Sequence, residues 1–367
     1  MENKITIGRW EITALLINTM SLQIFLNFPR LMAEAAATAG WMLCLYAGFL
    51  ALLAFAVIEL LYRSFEGKDI LEVAEYTGGV PLRIAAGTII LAHVLFAVSV
   101  ILREFGEDMK VIAFTISPIS FILFFFAAGM LIAAYFGLEA IARVHAYSVP
   151  IIIAGFLIII FGVAPYYNFD YLFPLMGSGA YEIFVKGIPK ISVFAPIIVL
   201  FNMVPFLGGQ KDFRRSGYTA ITVSIIFMVY TCIVYSMVFP YPAALENFLP
   251  MYQLSRLVNL GRFFQRSEPL FMVVWIAAAF MYLSTVFFIA IYVFKRTYNL
   301  KYYRPLIFPF IILVFTISLL PPNLMSAIKL ETEYYRNFAG IITFGMTILI
   351  LAAARIKQSL KGRDNKA

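Results

Sequence analysis

The sequence predicts an all-α membrane protein: ten transmembrane helices in a single polytopic domain, residues 1–367. Three observations carry that prediction. Hydrophobic residues make up 62% of the chain and charged residues 13%, against roughly 25% charged in soluble domains. Apolar runs of about twenty residues, the length that spans a hydrocarbon core, recur from end to end. The first and sixth runs are overlong and interrupted by prolines and polar residues, the pattern of two related halves. A membrane β-barrel would show short alternating strands instead.

The apolar runs cover 9–36, 41–62, 82–103, 113–136, 145–166, 183–208, 217–239, 269–294, 304–324 and 337–355. Residues 1–166 hold the first five helices, 183–355 the second five, and 356–367 form a basic tail. An odd number of crossings per half forces the second half to be inverted. The first run follows Lys4 and Arg9 and lacks a small-residue cleavage site. It reads as a retained helix rather than a signal peptide.

Lys and Arg flank the runs with a bias of about two to one toward the side that holds both termini, which places both in the cytoplasm. The net charge of +8 therefore belongs to loops at the bilayer surface and not to a nucleic-acid interface. Residues 246–268 form an outside loop too polar to span. Leu254, Leu257 and Val258 fall on one helical face and Arg256, Asn259 and Arg262 on another, which predicts a short amphipathic helix.

The first segment contains "NTMSLQIFLNFPRLMAEAAATAGW" (18–41), with Gln23, Asn27, Pro29, Arg30 and Glu34 near its middle. A broken helix in lipid leaves backbone groups unpaired unless the break lines an enclosed cavity. Pro29 removes a donor and disfavours helical geometry at Phe28. A kinked, tilted helix or two half-helices joined near Leu22–Asn27 would fit. The sixth segment repeats the oddity in "KGIPKISVFAPIIVLFNMVPFLGGQ" (186–210), with Pro189, Pro196 and Pro205. Breaks at corresponding positions of two halves point to a transporter-type site, which favours the half-helices in both.

The interrupted first segment ending in a proline, the following "AGW" (39–41), the "PFL" (205–207) closing the sixth and the basic tail resemble the B subunits of spore germinant receptors. The resemblance covers essentially the whole chain. It implies the amino acid–polyamine–organocation transporter superfamily and the LeuT-type architecture, a 5+5 inverted repeat with helices 1 and 6 discontinuous. It also implies a nutrient-sensing subunit in the inner membrane of a bacterial spore, with a membrane-anchored A subunit and a lipoprotein C subunit as partners; no cofactor is expected. Two departures stand out. "LQIFLNFP" (22–29) has no glycine where relatives often carry a Gly-rich break. "FAPII" (194–198) lacks the acid that relatives often show in segment 6. Both weigh against ion-coupled transport of the standard kind.

A ligand would sit between the two breaks, where freed N–H groups and half-helix ends hold a carboxylate and freed carbonyls hold an ammonium. The expected backbone contributors are Leu22, Gln23 and Ile24 in segment 1 and Phe194, Ala195 and Ile198 in segment 6. The resemblance places segments 3 and 8 beside them as walls. His93, Phe96, Ala97 and Val100 share one face of segment 3, and Met281, Ser284, Thr285 and Phe288 one face of segment 8. A pocket so lined suits a small aliphatic amino acid.

Ser284 and Thr285 are the one metal candidate, a hydroxyl pair of the kind that helps hold Na⁺ in sodium-coupled relatives; bonding back to their own helix is the alternative. Arg30 and Glu34, four apart, are a gate or proton step, or a self-neutralised pair. His93 is a proton carrier or a buried neutral ring bonded to a carbonyl. Glu59–Arg63 and Glu139–Arg143 read as structural ion pairs near the cytoplasmic face. Cys44 and Cys232 read as small core residues. Two histidines, two separated cysteines and no phosphate-binding glycine loop leave catalysis no foothold. The competing functions are a nutrient sensor, an H⁺- or Na⁺-coupled amino acid symporter, and a channel opened by the nutrient.

Overall fold

The computed structural model describes residues 6–259 and 268–364. The first segment starts as α1 (Arg9–Ser21), where Glu11 reaches back to accept from the Gly8 N–H at 2.8 Å. It tightens into a 3₁₀ turn over Leu22–Phe25 and breaks at Leu26, whose φ −97° and ψ −146° are not helical. α2 (Phe28–Ala36) restarts with Pro29 in its first turn, where the missing N–H costs no helical bond. The predicted break lies where Gln23 and Asn27 placed it.

α3 (Gly40–Tyr62) follows, then α4 (Ile70–Ile112). Asp69 caps α4 by accepting from Glu72 N–H at 2.8 Å, and Gly79, at φ 72°, kinks it just before Pro81. α5 (Ile119–Phe136) and α6 (Leu138–Gly162) complete the first half. The sixth segment holds α7 (Ala180–Phe184), a 3₁₀ run over Ile188–Ile197 and α8 (Ile198–Met203). Such runs rarely exceed a turn; here Pro189 and Pro196 remove donors from it. Next come α9 (Gln210–Val238), α10 (Pro250–Leu257), α11 (Glu268–Thr297) and α12 (Arg304–Ser318). The last crossing is built from α13 (Leu324–Lys329), a π stretch over Leu330–Tyr335, α14 (Arg336–Gly340), a second π stretch over Ile341–Met346, and α15 (Thr347–Asp364).

Among the described residues, eight helical stretches are long and apolar enough to cross a membrane, and α12 is a shorter apolar helix. The chain is a multi-pass membrane protein. Its packing repeats with an offset of five crossings: α1 lies on α6 as the sixth-segment 3₁₀ run lies on α14. α11 lies on α5 and α6 as α4 lies on α12 and α15. The two self-related pairs, α3 with α9 and α4 with α11, pack most extensively. α3 and α9 approach closely because Gly48 faces Ile225 and Gly217 faces Phe55, with no room for a Cβ.

Two expectations need correcting. The third segment was expected to end at 103. α4 instead runs to Ile112, because Arg103 pairs with Glu107 at 2.7 Å inside the helix. The last segment, expected from 337, begins at Leu324, so Lys329 and Arg336 are helical and Arg336 is buried. The amphipathic helix is present as α10, with Leu254 and Val258 buried and Arg256 exposed; Arg262 lies outside the described residues.

Candidate ligand site

The two breaks touch each other. Pro196 has no N–H to offer the Val193 carbonyl three residues back, and Gln23 Nε2 supplies one at 2.7 Å. Thr343, in the second π stretch, donates to the neighbouring Ala195 carbonyl at 3.2 Å. Leu22, Gln23, Ile24, Phe194, Ala195 and Ile198 are all buried.

The same break gathers charge from two other crossings. Arg336 Nη1 donates to Gln23 Oε1 at 2.6 Å. Its Nε and Nη2 donate to the two oxygens of Glu331 at 3.0 and 2.6 Å. A π turn brings residues five apart into register, which is how Glu331 and Arg336 meet. One turn along the break, Asn27 Nδ2 donates to Glu104 Oε1 of α4 at 3.0 Å. Glu104, Asp108, Glu331 and Arg336 are each 5% exposed or less. The polar residues of the first segment therefore serve as holders: Gln23 for an arginine, Asn27 for a glutamate.

Beside this cluster lies a small cavity of about 10 Å³, lined by His93, Ala97, Pro196, Ile198, Tyr282 and Tyr335 among others. It has room for roughly one water molecule. His93 stacks on Tyr335 with ring centroids 4.9 Å apart and planes 9° apart. The expected histidine–carbonyl bond gives way to this aromatic contact. Phe96, half-buried, continues the stack at 6.2 Å. Val100 is buried on the same helix.

Of the wall predicted on segment 8, Met281 and Ser284 face a different cavity of about 110 Å³, shared with Phe136 and His145 between α5, α6 and α11. The face of α11 toward the breaks carries Tyr282 and Val286. Ile24 lines a third space, about 30 Å³, with Asn18, Phe156 and Phe227.

Ser284 and Thr285 donate to the Phe280 and Met281 carbonyls of their own helix at 2.8 and 2.9 Å. His145 Nε2 lies 3.5 Å from both Thr285 Oγ1 and Asn18 Nδ2, and its Nδ1 is 2.8 Å from the Ile141 carbonyl. With Nδ1 donating to that carbonyl, Nε2 is an acceptor for the Asn18 amide, so a neutral imidazole joins segments 1 and 5, and Asn18 reaches segment 8 by donating to the Ala278 carbonyl at 3.1 Å.

Arg30 and Glu34 do not pair. Arg30 Nε donates to the Leu245 carbonyl at 2.7 Å and its guanidinium lies 4.5 Å from the Phe248 ring centre. Glu34 is exposed. A carbonyl in the 3₁₀ turn Ala243–Glu246 offers Arg30 a better partner than a solvated carboxylate. Glu59–Arg63 and Glu139–Arg143 do form ion pairs, at 3.1 and 2.5 Å. Cys44 and Cys232 are free and buried.

The model of a family described as spore germination protein matches residues 6–326. The chain belongs to the spore germination protein family. Spore germination protein B2 of Bacillus subtilis (strain 168) is 24% identical over 57% of this chain and 57% of that relative. Spore germination protein A2 of the same organism is 22% identical over 92% of this chain and 91% of its own.

Among solved structures, the family member superposes with a TM-score of 0.66 on three proteins. These are Mhp1, a nucleobase-cation-symport-1 family transporter in a closed conformation with bromovinylhydantoin bound (13% identity, 94% of this chain, 78% of that one); a Na⁺-coupled sialic acid symporter (12%, 93% and 79%); and MhsT in complex with L-phenylalanine (15%, 95% and 89%). The spore germination protein thus has the LeuT-type fold with helices 1 and 6 discontinuous.

Proposed function

We propose that this spore germination protein is the nutrient-sensing subunit of a germination receptor, binding a small, apolar amino acid between the breaks of segments 1 and 6. The observation that carries the reading is the small cavity where His93, Ala97, Pro196, Ile198 and Tyr282 converge on those breaks. Its walls come from several crossings, so a ligand that enters must move them apart. A ligand with greater affinity for the opened arrangement shifts the population toward it. The partners that would receive that shift are an A subunit and a lipoprotein C subunit, in the spore inner membrane, with both termini of this chain cytoplasmic.

Coupled symport of an amino acid would use the same cavity. The hydroxyls of Ser284 and Thr285, engaged by their own helix, speak against a sodium pair there. Purified protein in sealed vesicles separates the two: binding of a labelled amino acid without accumulation supports sensing. Accumulation against a gradient, driven by Na⁺ or H⁺, makes it a symporter.

A further inference from the structure

The cluster around the first break holds charged groups that packing leaves incompletely used. Resting on the reading above, we propose that Glu104 and Arg336 are the two poles of the ligand site. Glu104 takes the ammonium and Arg336 the carboxylate of a zwitterionic amino acid laid along the break at Gln23 and Asn27.

Glu104 is 1% exposed. Its Oε1 accepts from Asn27, while Oε2 has no hydrogen-bond partner among the described residues. A buried carboxylate oxygen without a donor is costly. The charged groups within electrostatic reach are Glu331, Asp108 and Arg336, and Arg336 is already paired to Glu331. The missing neighbour is a cation, and an ammonium group supplies charge and donor at once.

Arg336 has the complementary surplus. A guanidinium carries five N–H donors. Glu331 takes two and Gln23 one. The two left suit a carboxylate oxygen pair, so the ligand can bind without breaking the pair to Glu331. Tyr282 borders both the cluster and the adjoining cavity. The apolar walls at Ala97 and Ile198 then receive the side chain, which keeps it small.

The test uses the full chain in lipid nanodiscs and a thermal-shift and titration screen of the common L-amino acids. Each amino acid that raises the melting temperature is retested as its N-acetyl and its carboxamide derivative. The expected result is that both derivatives lose on the order of tenfold or more in affinity. Glu104→Gln, which preserves volume and can still accept from Asn27, should lose as much, and so should the double variant Glu331→Gln with Arg336→Gln, which removes both members of the ion pair. Ala97→Phe fills the cavity and should abolish binding.

If Ala97→Phe abolishes binding while both derivatives bind like the parent, the cavity stands and the two poles are wrong. Should the variants fail to fold, the derivatives on the unaltered chain decide. If no amino acid shifts the protein, or Ala97→Phe binds normally, the cavity reading and the two poles fail together.

Discussion

Gln23 and Arg336 are 313 positions apart in the chain, yet Arg336 Nη1 donates a 2.6 Å hydrogen bond to Gln23 Oε1. The same amide donates to Val193, so one side chain at a helix break joins segments 1, 6 and 10. Such a joint is where a ligand can act on three crossings at once.

Gln23→Leu removes an acceptor from Arg336 and a donor from the Val193 carbonyl. A buried polar group left without a partner costs about 1–3 kcal/mol. The variant should melt well below the parent in detergent, and Gln23→Glu, which keeps the acceptor, should fall between them.

Breaking the Arg336–Glu331 pair from one side leaves a buried charge alone. Arg336→Gln should destabilise the protein by about 3–5 kcal/mol, and Glu331→Gln with Arg336→Gln together by less. The double-mutant cycle, read from denaturation, should show strong coupling between the two positions; additive losses would mean the pair is not formed.

These charges mark the limit of what the sequence shows. The break in segment 1 was legible, because Pro29 with Gln23 and Asn27 has no place in a straight lipid-facing helix. The far end of α4 was not. "REFGED" (103–108) reads as a polar loop until Arg103 and Glu107 are seen to pair within the helix. Glu331 and Arg336 are five apart, a spacing that three- and four-residue periodicity does not flag, and only the π stretch brings them together. On segment 8 the face was misread by one residue: Tyr282 and Val286 point to the breaks, while Met281 and Ser284 point to α5 and α6. His145, counted only as the start of a segment, proves to be the partner of Asn18, which also donates to Ala278 of segment 8.

The ends of α4 and α11 are clamped through Asp69, which caps α4 and accepts from Arg296 Nε at 2.7 Å. Asp69→Ala removes cap and partner together; the cap alone contributes about 1 kcal/mol. Asp69→Asn keeps the cap and loses the ion pair. Its melting temperature should lie between those of the parent and Asp69→Ala.

Close approach of α3 and α9 depends on glycine. An added Cβ at Gly217 would collide with the Phe55 ring. Gly217→Ala should destabilise by about 1–3 kcal/mol, the usual range for overpacking, and Phe55→Leu in the same chain should recover part of that loss.

The measurement that tests the central claim most directly is equilibrium binding of a stabilising amino acid to the full chain before and after Ile198→Trp, with thermal melting confirming that the variant folds. Ile198 sits in the cavity wall at the break of segment 6, so the account predicts a folded variant that no longer binds. A folded Ile198→Trp protein with unchanged affinity would place the ligand elsewhere and contradict it.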